Sequence, residues 1–211
     1  MSSIKHVVIA AAGLGSRLGI GKPKCLIEIG GKTLLEHQIN LLNDVEDVRI
    51  VVGFEEEQVI TSVRKIRPDI LVVRNPAFRS TTTLQSYFLG AKYITEKTLF
   101  MDADILFQPQ SFRIFLEQCN SNRDLIGITK AKTKDAVYVN CEENKILEFS
   151  RSTQAPYEWA NLSWLSPEML NSKEYIAVFE QLSKFLPLHY QKIDCYEVAT
   201  QEDLENLKKN Y

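Results

Sequence analysis

Apolar positions along the chain follow two rhythms. Residues 4–12 form a near-continuous apolar run ending in three alanines, which reads as a strand buried on both faces, as in a parallel sheet. Residues 13–24 read as loop. Thr33-Leu-Leu-Glu36 has the capping-box spacing, and the helix it opens carries Leu34, Leu35, Ile39, Leu41 and Leu42 on one broad stripe. The pattern then predicts a strand over 48–52 closed by Gly53, a helix over 55–65, a strand over 70–73 and a helix over 84–94. A short buried strand over 98–101 runs into Asp102-Ala-Asp104, and Pro109 can open a helix reaching Cys119, ahead of a strand over 125–129. Strand and helix alternate throughout this stretch, the pattern of a doubly wound, mostly parallel sheet.

Beyond about residue 130 the rhythm changes. Short strand candidates at 136–140, 146–149 and 160–165 lack long helices between them and predict an antiparallel addition. Ser166-Pro167-Glu168 is a helix start, residues 193–198 read as a last strand, and Thr200-Gln-Glu-Asp203 caps a terminal helix. With no repeat or linker, residues 1–211 read as one domain.

Composition narrows the class. The 211 residues are 45% hydrophobic and 25% charged, which excludes a disordered, collagen-like or coiled-coil protein. With 25 basic against 27 acidic residues there is no global field for nucleic acid or an anionic membrane. Cys25, Cys119, Cys141 and Cys195 are scattered, away from His6, His37 and His189, against a zinc site or a disulfide framework. The first residues lack the apolar core of a signal peptide, and the longest apolar run, 7–12, is too short to span a bilayer. A cytoplasmic protein is the expectation.

The glycines are unevenly placed: six of nine fall between Gly13 and Gly31, and the stretch to Lys32 holds Arg17, Lys22, Lys24 and Lys32 against Glu28 alone. A Walker A loop requires GxxxxGK[ST], but position 16 is Ser and position 23 is Pro. A dinucleotide fingerprint requires a third glycine where Leu18 stands, and Pro23 blocks the long helix that should follow. The segment still has the chemistry of an anion cradle. Around Ala11, Ala12, Gly13, Leu14, Gly15 and Ser16 the backbone can approach phosphate closely. Arg17 can grip a phosphate with two hydrogen bonds, and Lys22 and Lys24 add compact charge. A buried strand feeding such a loop is a usual ligand position. Asp102 and Asp104 lie at the carboxyl end of another predicted parallel strand, where alternation would put both on one side. Paired carboxylates there suit Mg²⁺, which takes oxygen ligands together with substrate phosphates. Cys25 reads as a small packed residue and His37 as surface.

These residues resemble a known family. Gly13-Leu-Gly15-Ser-Arg17, Pro23-Lys24-Cys-Leu and Gly30-Gly31-Lys32-Thr-Leu-Leu resemble the signature of the sugar-1-phosphate nucleotidyltransferases and their relatives. The resemblance covers most of the chain. Val52-Gly53-Phe-Glu-Glu-Glu-Gln58, Asn75-Pro76 with Ser86 beyond it, Phe100-Met-Asp102-Ala-Asp104-Ile-Leu-Phe107 and Tyr196-Glu197-Val-Ala-Thr200-Gln-Glu-Asp203-Leu are similar to segments of the phosphocholine cytidylyltransferase branch. The resemblance implies a Rossmann-like three-layer α/β/α sandwich with a mostly parallel mixed sheet and a small antiparallel addition. It implies Asp104 as the main Mg²⁺ ligand with Asp102 in support. Arg151 falls where relatives often carry a lysine facing the acceptor phosphate, and reads equally as a plain exposed arginine. Thr82 and Thr83, with Thr81, stand where that branch tends to have paired asparagines; they can contact base or sugar, or cap the helix before Leu84. Glu158 and Trp159, with Trp164, can line an acceptor pocket, where an aromatic–carboxylate cage suits a quaternary ammonium, or belong to the core.

One departure stands out. The resembling families usually read Glu-Ile-Asp-Thr near the C-terminus, with that Asp as second metal ligand, whereas this chain reads Glu197-Val198-Ala199-Thr200. Glu197 or Asp194 compensating through water, a metal resting on Asp102 and Asp104 alone, and weakened catalysis are the outcomes left open.

The expected reaction joins a nucleoside triphosphate, with CTP preferred, to a phosphomonoester such as phosphocholine or a sugar 1-phosphate and releases pyrophosphate. The acceptor, with a second pKa near ~6, is already ionised at neutral pH and needs no general base. Arg17 and Lys22 would hold the β and γ phosphates, and Lys24 would contact the α-phosphate as charge develops. The expected product is a CDP-linked precursor of a surface polysaccharide or a phospholipid head group, and a homodimer is compatible with it. The alternatives are a UTP- or GTP-dependent sugar-1-phosphate enzyme, a nucleotide-binding regulatory homologue suggested by Ala199, and a glycosyltransferase using Asp102-x-Asp104, which the glycine loop disfavours.

Overall fold

The computed structural model describes residues 4–15, 21–119, 123–132, 136–171, 175–198 and 200–210, apart from the side chains of 206 and 208–210. The first apolar run forms β1 (His6–Ala11), whose Val7, Val8 and Ile9 are fully buried. After the glycine loop come a single 3-10 turn at Lys24–Leu26, a small hairpin of β2 (Glu28–Ile29) and β3 (Lys32–Thr33), and α1 (Leu34–Asn40). The Thr33 hydroxyl accepts the Glu36 N–H at 3.1 Å, so the cap sits where its spacing placed it. The alternation continues through β4 (Asp47–Val52), α2 (Glu56–Ile66), β5 (Leu71–Arg74), α3 (Thr83–Gly90), β6 (Thr98–Asp102), β7 (Ile105–Phe107) and α4 (Pro109–Gln118). The second half supplies β8 (Leu125–Lys130), β9 (Tyr138–Glu142), β10 (Lys145–Ser150), β11 (Tyr157–Leu165), α5 (Val178–Ser183), β12 (Leu188–Lys192), β13 (Cys195–Glu197) and α6 (Gln201–Asn210).

One mixed sheet runs β5-β4-β1-β6-β11-β8-β12-β10-β9, its first four strands parallel to one another. β11 enters antiparallel to both β6 and β8, and it bulges between Trp159 and Ser163, where Asn161 takes φ +47. Strand alternation sends Val7, Ile9, Leu99 and Met101 to one face, under α1, α2 and α4. Val8 and Phe100 go to the other face, under α3 and α5. The result is a three-layer α/β/α sandwich with small antiparallel additions.

The structure departs from the sequence expectations in the small elements. β7 and β12, α5 and the β2–β3 hairpin carried too few residues for a periodic signal. The helix expected to reach residue 94 stops at Gly90, and Ser166-Pro167 opens only a 3-10 turn at Pro167–Leu170. The last strand pairs not with the main sheet but with β7.

Gly90 explains how closely α3 approaches the sheet. A Cβ there would lie 2.4 Å from Val8 Cγ1 and 2.8 Å from Val51 Cγ2. Gly90→Ala is therefore expected to cost about 1–3 kcal/mol by overpacking. The loss should appear as a lower denaturant midpoint with an unchanged slope; an unchanged midpoint would contradict it.

Candidate active site

The carboxyl ends of β1 and β6 lie side by side, and the Ala103 N–H donates to the Ala10 carbonyl at 3.0 Å. Ligands of open α/β sheets bind at such strand ends. Here a cleft of about 940 Å³ opens, bounded by the chain from Ala10 to Gly15, by Lys24, by the Asp102–Asp104 turn and by the N-terminal end of α3. Gly13 has open space where a side chain would stand, and Gly15 takes φ +61 with the Lys24 stem packed against it. Ala11, Ala12, Gly13, Leu14 and Gly15 all face the cleft. Ser16 and Arg17 lie outside the described residues. Lys22 is exposed and stands outside the lining.

Lys24 is carried into the cleft by the 3-10 turn that Pro23 precedes. Its Nζ donates to Asp104 Oδ2 at 3.2 Å, and the two side chains are only 11% and 22% exposed. Next to it Cys25 is buried; burial, with the Asp104 charge adding, pushes its thiol up to about 12. It is a protonated packing residue, not a nucleophile.

Asp102 and Asp104 both line the cleft but face different partners. β6 ends at Asp102, so alternation does not carry on to Asp104, which sits in the turn before β7. Asp102 Oδ1 accepts a 2.6 Å hydrogen bond from the Tyr87 hydroxyl on α3. Burial, and then the Asp104 charge, hold the Asp102 carboxyl well above the usual range, against the Tyr87 hydrogen bond. Burial, and then the Asp102 charge, raise the Tyr87 phenol, which keeps it a donor. From α1, the fully buried Gln38 donates to the carbonyls of Asp102 (2.8 Å) and Ile105 (2.7 Å). Val198 N–H closes the turn on the Asp104 carbonyl at 3.0 Å.

The far walls come from α3, α5 and β11. Asn75, 2% exposed, donates to Thr81 Oγ1 (3.1 Å) and Ser86 Oγ (3.2 Å), which fixes the loop ahead of α3. Thr82 and Thr83 both line the cleft. Thr82 is the N-cap residue of α3, yet its hydroxyl donates to the Ile176 carbonyl (2.7 Å) and makes no cap bond. Arg151 is exposed and lies 5.3 Å over the Phe179 ring; Arg79 lies 5.1 Å over Phe78. Glu158 is buried and its Oε2 accepts the Lys132 N–H at 3.2 Å. Trp159 gives the cleft an edge but belongs to the core: it is 7% exposed, its indole N–H donates to Ser163 Oγ, and it packs edge-on to Phe149. Trp164 lies wholly in the core on the opposite face of the sheet.

Glu197 and Asp194 separate clearly. Glu197 pairs in register with Ile105, accepts from Asn161 Nδ2 (3.2 Å) and lines the cleft with Asp102 and Asp104. Asp194 is held at the start of α4, its N–H on Ser111 Oγ and its carbonyl on Gln108 N–H. Ala199 lies outside the described residues. Sequence reading had not singled out Lys132, Asn161 or Arg79, which line the cleft, nor Gln38 and the Tyr87 hydroxyl behind it. What sets these residues apart, such as the positive φ of Asn161, is invisible in sequence.

Among the described residues, no cluster of three or more His, Cys, Asp and Glu side chains is gathered to hold a metal. The donor set nonetheless fits Mg²⁺, which is satisfied by one or two carboxylates and completes its shell with water and phosphate. Asp102 and Asp104 both line the cleft, and the Lys24 ammonium stands against Asp104 as a cation would.

The comparisons agree with this fold. Along 98% of the chain the fold matches LicC, the CTP:phosphocholine cytidylyltransferase of Streptococcus pneumoniae, covering 99% of that chain at TM-score 0.80 and 18% identity. It also matches the inositol-1-phosphate CTP transferase of T. maritima, covering 98% of this chain and 96% of that one at TM-score 0.75 and 19% identity. In sequence, the chain is 32% identical over 99 residues to the 2-C-methyl-D-erythritol 4-phosphate cytidylyltransferase of Neisseria meningitidis serogroup A, 46% of this chain and 42% of that one. It is 28% identical over 196 residues to the bifunctional protein GlmU of Methanococcus vannielii, 89% of this chain and 45% of that one. The chain thus spans less than half the length of these two relatives. Among the described residues no helix is long and apolar enough to cross a membrane. The profile of the MobA-like NTP transferase domain matches residues 7–192, and the chain belongs to that nucleotidyltransferase family.

Proposed function

We propose that this chain transfers a nucleotidyl group from a nucleoside triphosphate, CTP by preference, to a phosphomonoester and releases pyrophosphate. The observation that carries the reading is Lys24 set against Asp104 in a cleft whose other wall is the glycine-rich strand end. An acceptor phosphate oxygen attacks the α-phosphorus, a new P–O bond forms, and the bond to the bridging oxygen of pyrophosphate breaks. No proton need move, which suits a cleft whose described lining has no histidine. The chain's task is to hold two anions together and stabilise equatorial charge. Arg17 and Lys22 are assigned to the β and γ phosphates, Lys24 to the α-phosphate, and Thr82 and Thr83 to the nucleoside side. Arg151, Glu158, Trp159 and Glu197 are assigned to the acceptor side. Asp104 and Asp102 are the residues that would hold Mg²⁺, with Glu197 nearby where Ala199 offers no carboxylate; bound there, the ion would neutralise phosphate charge. We place the product among CDP-linked precursors of surface polysaccharides or lipid head groups.

A second acceptor reading has its own support. The Phe78 and Phe179 faces already carry guanidinium groups, so these rings are poor hosts for a quaternary ammonium. That favours a sugar or polyol phosphate over phosphocholine. The test is pyrophosphate release with Mg²⁺, each of CTP, UTP, GTP and ATP, and phosphocholine, phosphoethanolamine, glucose 1-phosphate, inositol 1-phosphate and 2-C-methyl-D-erythritol 4-phosphate. Release is expected with CTP and a polyol phosphate. Triphosphate binding without release from any pair would overturn transfer and leave a nucleotide-binding protein.

A further inference from the structure

We infer that Tyr87 and Gln38 are positioning residues that set the Asp102–Asp104 turn from opposite faces of the sheet, and so tune its grip on a divalent cation. The inference rests on the reading of these carboxylates given above. Tyr87 belongs to the core under α3, and Gln38 is flanked on α1 by Leu35 and Ile39 of the core on the other face. Both are fully buried and neither lines the cleft, so neither is placed to touch substrate. Yet each spends its side-chain donor on this one turn. Tyr87 donates to the Asp102 carboxylate at 2.6 Å, which fixes one oxygen and the plane of the group. Gln38 uses its amide nitrogen to hold the Asp102 and Ile105 carbonyls, the two ends of the four residues that contain Asp104.

The cost of this arrangement argues that it is selected. Gln38 Oε1 is buried without a hydrogen-bond partner among the described residues. An orphan acceptor in the interior is expensive, and an apolar side chain of similar volume would avoid it. The amide remains because its two N–H groups close the turn. Outer partners of metal-binding carboxylates orient them in this way, and their loss typically weakens metal affinity about 10–100-fold. Tyr87→Phe is the mild probe, since it removes one oxygen and keeps the ring beside Phe100, 5.2 Å away. Gln38→Met keeps volume and removes both donors.

The test uses the full chain with Mn²⁺ as probe. Free Mn²⁺ is read by electron paramagnetic resonance during titration, alongside thermal unfolding and deuterium exchange over residues 100–107. Tyr87→Phe is expected to weaken Mn²⁺ binding about tenfold with the unfolding midpoint little changed. Gln38→Met is expected to weaken it as well and to speed exchange in the turn. In transfer assays, the Mn²⁺ concentration for half-maximal rate should rise more than the rate at saturation falls. Wild-type Mn²⁺ affinity in a folded Tyr87→Phe chain would overturn the inference while leaving the proposed function intact. Absence of Mn²⁺ binding by the wild-type chain would overturn the metal assignment and this inference with it.

Discussion

Asp104→Ala is expected to lower pyrophosphate release by about 10³-fold at saturating Mg²⁺, equivalent to about 4 kcal/mol of transition-state stabilisation. The size follows from what the side chain does. Both carboxylates line the cleft, but Asp104 meets the Lys24 ammonium, whereas Asp102 is bonded to Tyr87. Removing it leaves the site with one carboxylate whose pKa is already raised by burial. The backbone turn should survive, because Ala103 N–H, Val198 N–H and Gln38 hold it through main-chain atoms. The loss should therefore be catalytic, with a far-ultraviolet spectrum and unfolding midpoint near wild type. Asp104→Asn, which keeps shape and removes charge, should lose nearly as much. Arg151→Ala should stay within about tenfold of wild type and raise the acceptor KM, since an exposed ion contact is worth about 1 kcal/mol. Full activity in Asp104→Ala would show that the metal assignment is wrong.

What the sequence made legible, and what it did not, follows a physical division. The β1 run, the Thr33 cap, the β4 and β6 strands and the carboxylate ending β6 were readable, because burial on both faces and capping chemistry leave local marks. So was the shared cleft of Gly13, Lys24 and Asp104, which follows from parallel strands delivering their carboxyl ends to one edge. β12 was not readable: Leu188–Lys192 is only partly buried and mostly polar, and its place between β8 and β10 is set by partners distant in sequence. The role of Trp159 was likewise open, because core and cage give one signal; the fold packs its ring against Phe149 and ties its indole to Ser163 while leaving one edge on the cleft. Gln38 and Tyr87 sit on helices as ordinary periodic residues. Their importance lies in which carbonyl or carboxylate the tertiary fold brings to them, and no local pattern encodes that.

Lys24→Met should separate charge from packing at the centre of the site. The lysine stem packs on Gly15, which has no side chain there, and methionine preserves much of that contact. What disappears is the ammonium. In the resting chain it neutralises Asp104; during transfer it would turn to the α-phosphate, where negative charge accumulates on the equatorial oxygens. A preorganised donor of this kind is worth about 10²–10³-fold in turnover, so kcat should fall by that much while the KM for the triphosphate moves less. Arginine should not restore the rate, because its planar fork cannot occupy the place of a compact charge. Metal binding should respond in the opposite sense. With no ammonium competing for Asp104, Lys24→Met should bind Mn²⁺ at least as tightly as wild type, whereas Asp104→Ala should bind it weakly. Loss of both turnover and Mn²⁺ affinity in Lys24→Met would mean that the lysine holds the carboxylates in place, and its assignment to the α-phosphate would fail.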